Sequence, residues 1–198
     1  MDLKTTNSTA GTAGLIRFYL LSSLFAALTA AGAFIKIPLP YVPLTLQPLF
    51  VIMAGSVLGA KFGAQSQLIY LAVGLSGVPV FANGGGPAYI LQPTFGYLLA
   101  YPVAAYTVGF LVGRHRRTLR QPPSFFKYCV ASSVGILIIL VFGAAGLYFN
   151  FKFLLHKPIT LSTLFMSYFL VFIPGDIVKI IVSSITSVKL QRVIPTYC

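Results

Sequence analysis

Apolar residues in this chain come in long runs, with no two-residue alternation inside them, and short polar or basic breaks separate the runs. That pattern predicts membrane-crossing helices rather than the strands of a barrel. The first run, Leu15 to Ile35, is closed by Lys36 and Pro38. A second, Leu49 to Ala60, ends at Lys61, and a third covers Phe62 to Leu75. Both are short against the ~20 residues of a full crossing. Phe95 to Val112 and Phe126 to Tyr148 give a fourth and a fifth span. Leu161 to Val188 gives a sixth, long enough to need a break, and Pro174-Gly175 is the place for one. The expected fold is therefore an all-α integral membrane protein of six transmembrane helices. Residues 1–14 are polar and read as a disordered tail, leaving residues 15–192 as a six-helix membrane substrate-binding domain.

Charge fixes the expected orientation. Six crossings put both termini on one side. That side holds ten basic residues (Lys4, Arg17, Lys61, Arg114, Arg116, Arg117, Arg120, Lys127, Lys189 and Arg192), against Lys36, Lys152 and Lys157 on the other. Positively charged loops stay in the cytoplasm, so both termini are expected there. Two breaks then face outward. Pro38, Pro40, Pro43 and Pro48 hold one extended, with Gln47 as its one strongly polar side chain. The other, Gly77 to Tyr97, carries no charge and contains Gly84-Gly85-Gly86, whose amides can approach a ligand closely. Its aromatic neighbours, among them Phe81 and Tyr89, suggest a loop folded back as a lid.

Composition agrees and narrows the chemistry. The 198 residues are 57% hydrophobic and 8% charged, where soluble domains carry about 25% charged residues. The net charge of +12 is spread between the spans, so it reports orientation and not nucleic-acid binding. With no Glu and only Asp2 and Asp176 as acids, paired-carboxylate chemistry is excluded. Neither histidine lies in a span, and the two cysteines fit no disulfide framework or metal motif. No catalytic, cofactor or metal site is expected.

What remains is Phe172-Ile173-Pro174-Gly175-Asp176-Ile177-Val178-Lys179. Asp176 and Lys179, at i and i+3, share one helix face, where they either neutralise each other at a kink or flank one ligand. Ionisable groups inside a membrane cost several kcal/mol unless partnered, which makes the pair the leading site. A small, partly apolar ligand with a few hydrogen-bonding groups suits such a site. On the first helix, Ala26-x-x-x-Ala30 and Ala27-x-x-x-Ala31 permit close approach of another helix.

The segments P-L-P-Y-V-P-L-T-L-Q-P-L-F, G-L-S-G-V-P-V-F, G-G-G-P-A-Y-I-L-Q-P-T-F-G-Y and F-I-P-G-D-I-V-K, in this order, resemble the signature blocks of the BioY family. The resemblance runs from the first helix through the sixth and is weakest in the fifth. It implies a biotin-binding S component of an energy-coupling-factor transporter in the plasma membrane. It also implies a transmembrane coupling protein and a pair of cytoplasmic ATPases as partners. The family's docking motif falls on Ala26 and Ala30, its acidic and basic pair on Asp176 and Lys179, and its glycine loop on Gly84, Gly85 and Gly86. The run Asn83-Gly-Gly-Gly-Pro87 is shorter than in many members.

Biotin offers two ureido N–H donors, one carbonyl acceptor, a thioether body and a carboxylate tail. Asp176 and Lys179 are expected on the ureido group. Phe81, Tyr89 and Tyr97 are expected to pack on the ring body, with Gln47 also in the site. Asn83 and the glycine amides would meet the tail, and the reversed pose, with Lys179 on the carboxylate, stays open. An S component for another vitamin and a standalone channel or facilitator are the competing functions.

Overall fold

Proline and glycine decide where the helices stop. The computed structural model describes residues 3–39, 42–119, 123–154 and 170–190. Helix α1 spans Leu3–Phe34 and stops just short of Lys36 and Pro38. It begins inside the stretch expected to be a disordered tail, since no proline interrupts the chain before Pro38. Two short strands, β1 (Lys36–Ile37) and β2 (Leu44–Thr45), then pair antiparallel, with Lys36 opposite Thr45 and Ile37 opposite Leu44. This ladder pins both ends of the proline-rich loop.

Helix α2, Gln47–Leu75, contains both of the short spans expected from the sequence in one 29-residue element. The element is bent at Gly59, whose φ of 83° and ψ of −180° are open to glycine and strained for other residues. The two arms fold against each other so closely that a Cβ on Gly63 would lie 2.8 Å from the Cα of Gly55. The far ends meet too, because the Gln47 amide donates to the Tyr70 hydroxyl. The short spans are thus the two limbs of a helical hairpin.

After the glycine loop and a 3₁₀ turn (Pro87–Leu91), α3 runs from Phe95 to Leu119 and packs along both α2 and α4, Phe125–Phe149. A π turn, Asn150–Leu154, extends α4. A 3₁₀ turn, Leu170–Phe172, leads into α5, Ile173–Leu190. The first part of the sixth expected span, residues 161–169, lies outside the described residues, as do Arg120, Lys157 and Arg192. Pro174 stands in the first turn of α5, where a missing N–H costs nothing, so among the described residues Pro-Gly starts the helix instead of kinking it.

Five helices among the described residues are long and apolar enough to cross a membrane. The larger core gathers Val51 and Ile52 of α2, Ala104 and Val108 of α3, and Ile136 and Ile139 of α4. A smaller one, with Phe18, Phe25, Leu58 and Phe62, fastens α1 to α2. Buried hydrogen bonds stitch the same pair: Ser22 donates to the Phe62 carbonyl at 3.1 Å, and Gln67 to the Thr29 hydroxyl at 3.3 Å. Leu20, Phe34 and Phe126 are among many large apolar side chains left on the outside. That surface is unfavourable in water and suits a lipid bilayer, which makes this a multi-pass membrane protein.

Candidate functional site

Asp176 lies in the first turn of α5, where the positive end of the helix dipole favours a carboxylate. Its Oδ1 accepts from Lys179 Nζ at 2.8 Å, and each residue is only 4% exposed. The pairing uses one of the three ammonium protons and one carboxylate oxygen. Two donors and a second acceptor oxygen remain for anything placed beside them. That combination matches a ligand carrying N–H donors next to a carbonyl.

Both side chains line a cavity with about 540 Å³ of empty space, part of it open to solvent. Its walls come from several regions around it. The proline-rich loop gives Val42, Pro43 and Thr45; α3 gives Tyr97, Leu98 and Tyr101; α4 gives Ile136, Ile139 and Leu140. Phe172 closes the α5 side, its ring stacked near Tyr97 with centroids 6.3 Å apart. The cavity is thus mostly apolar, with a charged pair and a few polar groups, as expected for a small-molecule site.

Gln47 is a polar hub of the cavity wall. Its Oε1 accepts from Thr45 Oγ1 at 3.2 Å and from the Tyr101 hydroxyl at 3.4 Å, while its Nε2 donates to Tyr70. Tyr70 in turn donates to the Val80 carbonyl at 3.3 Å. One amide therefore joins the proline-rich loop, both arms of α2 and α3, and through Tyr70 it reaches the glycine loop.

Of the residues expected in the site, Asp176, Lys179, Gln47, Tyr89 and Tyr97 line this cavity. Tyr89 is buried and accepts from Thr94 Oγ1 at 3.2 Å. Burial pushes its hydroxyl above the ordinary tyrosine range, keeping it a neutral donor. Phe81 does not line the cavity. It is wedged behind the wall, 1% exposed, with its ring 4.6 Å from that of Tyr89 and 5.3 Å from that of Tyr70. Its role there is to anchor the glycine loop.

Asn83, Gly84, Gly85 and Gly86 also lie outside the lining, which the loop reaches through Ala82. A tight turn explains this: Phe81 and Gly84 exchange backbone hydrogen bonds of 2.9 and 3.2 Å, and the Gly86 amide donates to the Gly74 carbonyl at 2.8 Å. Gly84, at φ 118°, and Gly86, at φ 98°, make that path possible. Ala26 is 6% exposed and packed in the core, and Ala30 is half-buried. Among the described residues, the exposed small side chains of α1 instead include Ser23, Ala27 and Ala31. In the single chain Ala26 is thus turned inward, Ala30 is partly open, and Ala27 and Ala31 face outward.

Sequence reasoning missed Thr45, Thr94, Tyr101 and Phe172. Thr45 and Thr94 stand inside the signature segments, so their hydroxyls were a usable signal. Phe172 also opens a signature segment, whereas Tyr101 is an apolar-run aromatic that nothing local distinguishes from a packing residue.

Residues 4–196 match the BioY family. A probable biotin transporter BioY of Lysinibacillus sphaericus is 41% identical over 174 residues, covering 88% of this chain and 86% of that protein. The biotin transporter BioY of Thermotoga maritima is 32% identical, over 89% of this chain and 97% of that one. Among solved structures, the S-component for biotin from an ECF-type ABC transporter superposes with a TM-score of 0.77. Its identity is 30%, over 89% of this chain and 92% of the other.

Proposed function

The chain belongs to the BioY family, and from that premise we propose that it captures biotin as the S component of an energy-coupling-factor transporter. It is a transport protein and not an enzyme. The observation that carries the reading is the buried Asp176–Lys179 pair on the wall of a largely apolar cavity. The free oxygen of Asp176 accepts the ureido N–H groups, and Lys179 donates to the ureido carbonyl, each a charge-assisted hydrogen bond. Tyr97, Tyr89 and Phe172 enclose the ring body. Gln47 and Tyr101, hydrogen-bonded to each other, hold the polar part of the wall in register.

The two arms of α2 count as separate crossings in this proposal, giving six, with both termini in the cytoplasm and the cavity toward the outside of the plasma membrane. The excess of basic residues on the terminal side supports that orientation. A transmembrane coupling protein and two cytoplasmic ATPases supply the energy. The coupling protein meets α1 through its exposed small residues, Ala27 and Ala31, where helices can approach closely.

Equilibrium binding of labelled biotin to the detergent-purified protein, in competition with unlabelled vitamins, tests this directly. Displacement by biotin alone is expected. Displacement by a different vitamin, or no binding, overturns it.

A further inference from the structure

The Asp176–Lys179 pair is a weak site for a carboxylate, because Asp176 already offsets the Lys179 charge, and its spare donors suit a neutral carbonyl better. A ligand with both a hydrogen-bonding head and a carboxylate therefore needs a cation elsewhere on the wall. Lys152 does not supply it: the ammonium sits 5.7 Å from the Tyr148 ring centroid and 5.6 Å from that of Phe153, and neither ring lines the cavity.

Lys36 is differently placed. It is the first residue of β1 and pairs directly with Thr45, which lines the cavity. Side chains of residues opposite each other in an antiparallel ladder stand on the same face. The Lys36 Nζ donates to the carbonyl of Ala82, itself a lining residue, and stands 3.5 Å from Asn83 Oδ1. Lys36 is exposed and does not itself line the cavity, but its ammonium is held beside the lining residue Ala82 by two neutral acceptors, with a third proton to spare and no carboxylate partner among the described residues.

We infer that Lys36 reads the ligand's carboxylate, exchanging part of its hold on the Ala82–Asn83 turn for the charged tail. This rests on the biotin reading above and selects the pose with the ureido group deep and the tail at the mouth.

The experiment compares biotin with biotinamide, whose tail is neutral, on wild-type, Lys36→Met and Lys36→Arg proteins by equilibrium binding. Lys36 is exposed, so a modest effect is expected: roughly fivefold weaker biotin binding in Lys36→Met. Lys36→Arg should keep most of the affinity, and biotinamide should bind wild type and Lys36→Met equally. An equal loss for both ligands assigns Lys36 to the loop alone and overturns the inference, as does unchanged biotin affinity in Lys36→Met. Wild-type protein that binds neither ligand is a different failure, that of the biotin reading itself.

Discussion

The Gln47 side-chain amide donates to the hydroxyl of Tyr70, 23 residues further on, and so ties together the far ends of the two arms of α2. The same side chain accepts from Thr45 and Tyr101. Replacing it with Leu takes one hydrogen bond from each of three hydroxyls, of which Tyr70 keeps the Val80 carbonyl, for a loss of about 1–3 kcal/mol in all. Gln47→Leu should therefore lower both the melting temperature and the biotin affinity. A variant with wild-type values for both removes Gln47 as the organiser of this wall.

The bend that brings Gln47 to Tyr70 depends on Gly59. A side chain there meets a backbone conformation that costs on the order of 1–3 kcal/mol. Gly59→Ala is expected to lower thermal stability and, by splaying the arms, to weaken biotin binding. Thermal unfolding followed by far-UV circular dichroism reads the first effect, and the absence of any shift counts against the strained bend.

Closure over the ligand should be visible in backbone exchange. The turn from Phe81 to Gly86 is held by few hydrogen bonds and is anchored by Phe81 and Lys36. Biotin is expected to slow hydrogen exchange between Ala82 and Ile90. Equal rates with and without biotin contradict a lid.

Docking makes a paired prediction. Ala27→Trp adds bulk to the exposed face of α1 and should leave biotin binding intact while abolishing ATP-driven uptake. Ala26→Trp forces that bulk into the core and should destabilise the protein instead. Uptake at the wild-type rate by Ala27→Trp, reconstituted with the coupling module, eliminates this surface.

Much of this was legible in the sequence because membrane helices announce themselves locally. Run lengths, prolines and basic breaks located the helices, and the isolated acid at Asp176 pointed to the pair with Lys179. The hairpin of α2 was harder. Two short spans were visible, but that they share one bent element depends on the dihedral angles of Gly59, which composition does not reveal. Helix facing was also hidden. Ala26 and Ala27 look alike in sequence, and only packing against neighbouring elements buries one and exposes the other. The glycine run reads as ligand-facing amides, yet its turn is spent on its own backbone bonds and on Gly74. What reaches the cavity is Ala82.

In the proposed function the Asp176–Lys179 pair reads the ligand instead of merely neutralising itself inside the helix bundle. Asp176→Asn keeps the shape but loses charge, and Lys179→Met keeps the stem and loses the donors. Each removes a charge-assisted bond worth about 1.5–3 kcal/mol, a roughly ten- to hundred-fold loss of affinity. Biotin affinity and melting temperature should be measured on the same detergent-purified variants. That loss is expected in protein that remains folded. Unchanged biotin affinity in folded Asp176→Asn and Lys179→Met would contradict it.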